Sequence, residues 1–380
     1  MILFLLTFTL VYGGLHLYAW LRLRDILPFR TTSAAVMALM TIAPFMIRFA
    51  EQFGREGVAR LLAWPAYIWM GFIFLFSVYL LTVDLLQLPV RLYCRITRRW
   101  NMAILSRRLC ATALTAALFS SCYALYEAWQ IRVEHLAVTT DKLPPGSRPI
   151  RIAQVSDVHL GLLSSDARLK NIFDTVRTAG PDILVSTGDL IDGRLSREEV
   201  LHQKKRLTTL LAGIPAPLGK FAVSGNHEFY SGMEQALETT RAAGFKVLQD
   251  QYTLPLKGLV LLGVDDPGRS DRLQLPVSAA RERAMLTSSP NGFRLLLKHR
   301  PVLLPENDGR IDLMLSGHTH KGQLLPFYPM TWYEFPLHSG TTRTAKGTLV
   351  HVSRGSGTWG PPMRFLAPPE VTVIDIIPAR

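Results

Sequence analysis

Five short segments in the C-terminal part of this chain gather metal-ligating residue types, four of them with glycine or proline. They are DVH at Asp157–His159, GDLID at Gly188–Asp192, GNHE at Gly225–Glu228, KHRP at Lys298–Pro301 and GHTH at Gly317–His320. A carboxylate and an imidazole two residues apart project in one direction on an extended backbone, so Asp157 and His159 make a feasible chelate. Alone, that pair reads as a solvated loop. GDLID adds Asp189, with Gly188 permitting close backbone approach. GNHE adds Asn226 and His227, and GHTH adds two histidines flanking one residue. Carboxylates, an amide and several imidazoles converging on one place need compensating charge, and a metal cluster supplies it.

These segments must be positioned by something regular. Ile150–Ser156, Ile183–Ser186, Phe221–Ser224, Leu259–Gly263, Phe293–Lys298 and Leu313–Ser316 read as strands, short apolar runs bounded by turn residues. Ala167–Ala179, Ser196–Leu211 and Gly232–Ala243 carry apolar residues at three- and four-residue spacing and read as helices. The alternation predicts a layered α/β domain. Asp157 and His159, Asp189 and Asp192, Asn226 and His227, His299, and His318 and His320 each follow one of these strands. The carboxyl ends of strands are where ligand sites gather in such sheets.

In this order and at these spacings, the five segments closely resemble the calcineurin-like metallophosphoesterase family, over about Ile150 to Ile377. The late segments GVDD at Gly263–Asp266, SRGSGTWG at Ser353–Gly360 and PPE at Pro368–Glu370 resemble the family's bacterial membrane-associated branch. The resemblance implies a four-layer α/β/β/α sandwich holding two divalent metal ions. Asp157, His159, Asp189 and His320 would hold one, and Asp189, Asn226, His299 and His318 the other, with Asp189 and a water or hydroxide bridging them. Imidazole, carboxylate and amide donors suit manganese, iron or zinc better than calcium. His227, beside a ligand position, would protonate the leaving alkoxide, and Asp192 would orient it. The implied activity is hydrolysis of phosphomonoesters or phosphodiesters. Lys321 stands where many relatives carry glycine after the second histidine of GHTH, which leaves the metal assignment intact and separates the chain from their substrate preference. Lys321 is read as solvent-facing.

The rest of the chain has another character. The formal net charge is +13, the mean hydropathy is nevertheless positive, and the first 130 residues contain no lysine. A bilayer-spanning helix needs roughly 20 mostly apolar residues. Met1–Trp20, Ala66–Val90 and Leu109–Ala128 meet that length. Ser33–Ile47 is shorter and carries Pro44; it reads as a short span, a re-entrant segment or a surface helix, with spanning preferred because membrane helices tolerate proline. The first run lacks the basic start of a cleavable signal peptide and reads as a retained anchor. Arg91, Arg95, Arg98, Arg99, Arg107 and Arg108 mark the segment between the last two runs as cytoplasmic. One further crossing puts everything after about Gln130 on the periplasmic or extracellular side of a bacterial inner (cell) membrane. The expected organisation is a transmembrane region over 1–130, a linker over 131–148 and the phosphoesterase domain over 149–380.

Topology accounts for the basic excess, so no nucleic-acid binding is expected. The expected partners are membrane lipids and a phosphoester substrate, and nearness to a bilayer directs attention to a lipid-linked or envelope phosphoester. The sequence carries no signal for an oligomeric state. Cys94, Cys110 and Cys122 all lie in or beside the membrane part, leaving the phosphoesterase part without a disulfide. His135, His202, His338 and His351 read as surface or packing residues. Asp84 and His16 lie within apolar runs, where ionisable groups are costly; Asp84 is expected at the interface or paired with an arginine such as Arg91. Arg300 and Arg354 adjoin the motifs and suit either phosphate contacts or structural ion pairs. Phe327, Tyr328, Trp332, Tyr333 and Phe335 read as a packed loop rather than a lip for lipid or substrate. A non-catalytic receptor or scaffold is the alternative function, and a transporter with an accessory domain ranks below it.

Overall fold

The long apolar runs of the first third fold as helices, which satisfy their backbone groups internally. These are α1 (Ile2–Leu23), α2 (Arg30–Gln52), α3 (Glu56–Thr97) and α4 (Ala103–Glu127). The computed structural model describes residues 2–24, 26–97, 103–193, 197–268 and 271–379. They divide into two units, Met1–Tyr126 with Gly360–Phe365 and Glu127–Trp359 with Leu366–Arg380. Among the described residues, three helices are long and apolar enough to cross a membrane, Arg30–Gln52, Glu56–Val90 and Arg107–Glu127. Ser33–Ile47 is thus the middle of a 23-residue helix that continues through Pro44. The run at Met1–Trp20 folds as α1, with Met1 outside the described residues, and is not among the three. Arg98 and Arg99 of the basic segment also lie outside the described residues.

Inside this unit Tyr12, Ala19, Met37, Ile73, Phe76, Leu80 and Ala113 form the core, while Leu10, Leu61, Leu86 and Phe119 face outward. Asp84 and His16 are paired across helices. Asp84 accepts from Tyr18 Oη at 2.6 Å and pairs with Arg22, so its arginine comes from α1; the side chain of Arg91 lies outside the described residues. His16 donates through Nδ1 to the Tyr12 carbonyl at 2.8 Å and accepts from Trp69 Nε1 at 2.9 Å.

The other unit is built from strands β1 (Arg132–Thr140), β2 (Ile150–Val155), β3 (Ile183–Ser186), β4 (Lys220–Ala222), β5 (Lys246–Val247) and β6 (Gln251–Leu256). They are followed by β7 (Leu259–Val264), β8 (Phe293–Lys298), β9 (Leu313–Ser316), β10 (Gly340–Arg343), β11 (Leu349–Val352) and β12 (Glu370–Pro378). Two six-stranded sheets result, in the orders β1-β12-β2-β3-β4-β5 and β10-β11-β9-β8-β7-β6. Strands β2 to β5 run parallel, as do β7, β8, β9 and β11. Parallel strands covered on both faces need continuous apolar runs rather than alternation. Every residue of β3, β7, β9 and β11 is buried.

Each sheet has a core on both faces. Ile152, Ile183, Val185 and Phe221 meet Leu259, Leu261, Phe293, Leu295 and Leu313 between the sheets. Outside the first sheet lie α5 (Asp166–Ala179), α6 (Arg197–Ala212), α7 (Asn226–Ser231) and α8 (Met233–Ala242); Leu169, Ile172 and Phe173 of α5 and Leu207 of α6 pack there. Outside the second lies α9 (Asp271–Ser288), through Met285 and Leu286. The last helix is α10 (Tyr328–Glu334). The layers are α/β/β/α.

The expected strands and helices are found within two residues of their expected ends, and Ser196 lies outside the described residues. The stretch 131–148 is not simply a linker. Its first part is β1, pairing in parallel with β12 from Arg132–Glu370 to Thr140–Pro378. As an edge strand it buries Val138 and Thr140 while Arg132, His135 and Ala137 stay exposed, and so polar a strand looks like a linker in sequence. Residues 360–365 likewise depart from a contiguous 149–380 domain by grouping with the helices: Met363 packs on Gly71, and Arg364 N donates to the Ala124 carbonyl at 2.9 Å.

Leu295 is fully buried in the core between the sheets. Leu295→Ala should cost about 2–5 kcal/mol, read from hydrogen exchange of the β7 to β9 amides in the full chain; a loss under about 1 kcal/mol would contradict a shared inter-sheet core.

Candidate metal centre

Strands β2, β3, β4, β8 and β9 all deliver their carboxyl ends to one place, and the residues that follow them bend sharply. Asp157, His159, Asp189, His318 and His320 have φ of 52°, 50°, 52°, 72° and 50°. The left-handed region costs an L-residue about 1–3 kcal/mol, and such strain persists where surrounding structure enforces it. Here the turns reverse the side chains towards a common centre. Two glycines make room: a Cβ on Gly225 would fall 2.2 Å from Asp189 Oδ1, and one on Gly317 would fall 1.9 Å from Ser156 Oγ and 2.2 Å from Asp157 Oδ2.

The ligand-type atoms form overlapping groups. Those of Asp157, His159 and His320 lie within 4.8 Å of one another, as do those of Asp189, His299 and His318, and of His159, Asp189 and His227. His159 Nε2 faces His320 Nε2 at 3.0 Å, and His320 Nε2 is 3.3 Å from Asp157 Oδ1. His299 Nε2 lies 3.2 Å from Asp189 Oδ2, 3.2 Å from Asn226 Oδ1 and 3.1 Å from His318 Nδ1. Asp189 Oδ2 links the groups, 3.9 Å from His159 Nε2. All seven candidate ligands are therefore brought together. His299 Nδ1 donates to the Thr187 carbonyl at 2.8 Å, which turns Nε2 towards the cluster. Asp157 accepts from His318 N at 3.0 Å and from Ser156 Oγ at 2.5 Å. Carboxylate, imidazole and amide oxygen in one dry cluster fit a divalent first-row transition metal.

The electrostatics express the same demand for positive charge. Burial would drive His299 neutral, but Asp189, Asp157 and Asp266 overcome it and push its pKa up to about 10. Burial likewise opposes charge on His227, and Asp189 and Asp192 push it up to about 9. His318, disfavoured by burial and then by the charge of His299, is pushed down to about 3. Burial would raise Asp189, yet His299 and His227 hold it well below the usual carboxylate range.

His227 and Asp192 form a pair of their own, with Nδ1 donating to Asp192 Oδ1 at 2.7 Å. That bond fixes the ring and leaves Nε2 for other work. Asp192 Oδ2 is 3.6 Å from His159 Nδ1. A residue that sequence reasoning left without a role is Glu228. Its carboxylate accepts from the backbone N–H of Asp189 at 2.9 Å, Ile191 at 3.0 Å and Gly225 at 2.7 Å, pinning the GDLID loop to the GNHE turn. A glutamate three residues after a helix N-cap is the capping-box spacing, and that was the available signal.

Other residues near the motifs are otherwise engaged. Arg300 is paired with Asp266 at 2.9 Å, and Arg354 with Glu370 at 2.7 Å and with Glu134. His351 is buried against Glu370 and Thr372 and His338 is buried, while His135 and His202 are exposed. Lys321 is half-buried. The aromatic segment after GHTH divides: Phe335 is buried with its ring 5.2 Å from that of His318, whereas Trp332 and Tyr333 stand exposed on α10.

A calcineurin-like phosphoesterase family model matches residues 150–322, the span of all five motifs. An uncharacterised metallophosphoesterase of Aquifex aeolicus is 38% identical over 261 residues, covering 68% of this chain and 97% of that protein. One of Bacillus subtilis is 32% identical over 297 residues, covering 74% and 98%. A zebrafish transmembrane protein with metallophosphoesterase domain is 30% identical over 278 residues, covering 70% of this chain and 61% of that protein. Two bacterial relatives matched almost end to end, together with a family model that spans all five motifs, make this chain a member of the calcineurin-like phosphoesterase family.

Proposed function

We propose that this protein is a membrane-anchored, metal-dependent hydrolase of phosphomonoesters or phosphodiesters that uses two divalent cations. The observation that carries this reading is the turning of five ligand-type residues into left-handed backbone so that two overlapping Asp/His groups meet through Asp189. Asp157, His159, Asp189 and His320 would hold one cation, and Asp189, Asn226, His299 and His318 the other. Bound there, a metal pair lowers the pKa of water and offsets phosphoryl charge.

The chain's own residues supply the rest. Buried Asp157 and Asp189 keep their negative charge where it serves as ligand. His227 delivers a proton from Nε2 to the departing alkoxide as the P–O bond breaks, and Asp192 holds the ring for that transfer. Glu228 keeps Asp189 in register with Asn226. The apolar helices, and the likeness to a relative named as a transmembrane protein, support the anchor. Arginine placement supports a phosphoesterase unit on the periplasmic or extracellular side, within reach of lipid-linked or envelope phosphoesters.

Asp189→Asn should lower metal-restored hydrolysis of aryl phosphoesters by more than about 100-fold, beyond what loss of an outer hydrogen-bond partner costs, and should lower bound manganese, iron or zinc measured by elemental analysis. Undiminished turnover would remove Asp189 from the centre. His227→Gln should keep the metal content and lose roughly 10² to 10⁴ in kcat, with a smaller loss for esters of acidic alcohols that leave without a proton; an equal loss for every leaving group would contradict the proton-donor role. A β-lactamase fused after Arg380 should protect a bacterial host from ampicillin, and a sensitive host producing the intact fusion would reverse the proposed orientation.

A further inference from the structure

The ring of His227 has aromatic neighbours that the proton-transfer role leaves unexplained. His159 lies against it edge-to-face, with centroids 4.7 Å apart. Tyr230 and Trp359 approach it in the same manner, at 5.5 Å and 5.7 Å with interplanar angles of 78° and 73°. Unlike His159, which is buried, Tyr230 is 42% exposed and Trp359 53% exposed.

Both residues stand on anchored backbone. The backbone of Trp359 is clamped by buried Gln323: the main-chain N–H of Trp359 donates to Gln323 Oε1 at 2.9 Å, and Gln323 Nε2 donates to the Trp359 carbonyl at 2.8 Å. Tyr230 belongs to α7, the turn that carries Asn226 and His227. The preceding Phe229 closes over Gly268 so tightly that a Cβ there would fall 2.9 Å from its ring. Large aromatic faces that rest against a buried histidine on anchored backbone yet stand half in water forgo burial, and such surfaces are the common form of a ligand contact. Because ordering them costs little on binding, they suit recognition.

We propose that Tyr230 and Trp359 form a leaving-group subsite beside His227 and make the enzyme selective for phosphoesters whose alcohol carries a large apolar group. The proposal rests on His227 serving the leaving group. The alcohol that takes its proton then departs along aromatic surface instead of directly into water, and binding of its apolar part is spent on bringing the ester oxygen to Nε2. An alkyl chain and a flat aromatic ring share this chemistry.

The test uses the full chain in nanodiscs with manganese and a series of methyl, n-hexyl and benzyl esters. The esters are of phosphate or methyl phosphate, whichever class is turned over, and their alcohols have similar acidity. The readout is the ratio of kcat/KM for the larger ester over the methyl ester within each variant, so any general loss of activity cancels. The wild-type ratio should be about tenfold or more. Trp359→Ala and Tyr230→Ala should each bring it towards one, Trp359→Phe should retain most of it, and Trp332→Ala on α10 should leave it at the wild-type value. Preference for benzyl over hexyl would identify a flat aromatic alcohol, and the reverse an aliphatic chain. A wild-type ratio near one, or a ratio unchanged in both alanine variants, would overturn the subsite. Absence of turnover with every ester and metal would count against the hydrolase reading instead. In that event the ratio of Kd for benzylphosphonate and methylphosphonate, measured by calorimetry on the same variants, tests the subsite directly.

Discussion

Negative charge buried at the junction of two sheets is the constraint on which the rest of this structure depends. Asp157 and Asp189 have almost no contact with solvent, and an isolated carboxylate in such a place is strongly disfavoured. Imidazoles from both sheets, backbone N–H groups and a bound cation are the means available to offset it. Five of the residues that meet this demand, Asp157, His159, Asp189, His318 and His320, also adopt left-handed backbone, so strain and buried charge meet at one place. That combination is stable only because the surrounding layers are not themselves strained.

The two sheets supply the rigidity. Gln154 of the first sheet donates to Thr187 Oγ1 at 2.9 Å and to the Ser316 carbonyl of the second at 3.0 Å, immediately below the turns that present Asp157, Asp189 and His318. Either sheet alone would present only part of the cluster: Asp157, His159, Asp189 and Asn226 follow strands of the first, and His299, His318 and His320 follow strands of the second. The inter-sheet core therefore sets the spacing between the donor groups. Glu228 performs the same office on a smaller scale, joining two loops of one sheet through three backbone N–H groups.

The helical unit follows a simpler economy. Its outward surface carries large apolar side chains, and within it Asp84 is satisfied by Tyr18 and Arg22 and His16 by Tyr12 and Trp69. Paired groups of this kind fasten helices to one another.

Much of this was legible from residue order. Metal-ligating types beside glycine, each after a short apolar run, mark strand-end loops, because buried parallel strands must be apolar throughout and the chain can carry polar chemistry only where it leaves them. The apolar helices were legible for the same reason, that twenty apolar residues have few other fates. Strand β1 was not, since an edge strand with one solvated face has the composition of a linker. Nor was the grouping of Gly360–Phe365 with the helices, which depends on contacts far apart in sequence. Sequence by itself determined which residue types are available to the site and which stretches deliver them. Tertiary structure decided that Glu228 ties the loops, that Arg300 and Arg354 are consumed in ion pairs, and that Trp359 stands beside a histidine 132 positions earlier. Those outcomes depend on how two sheets pack and where their loops turn, and such distances are set by side-chain volume and backbone geometry that no local pattern encodes.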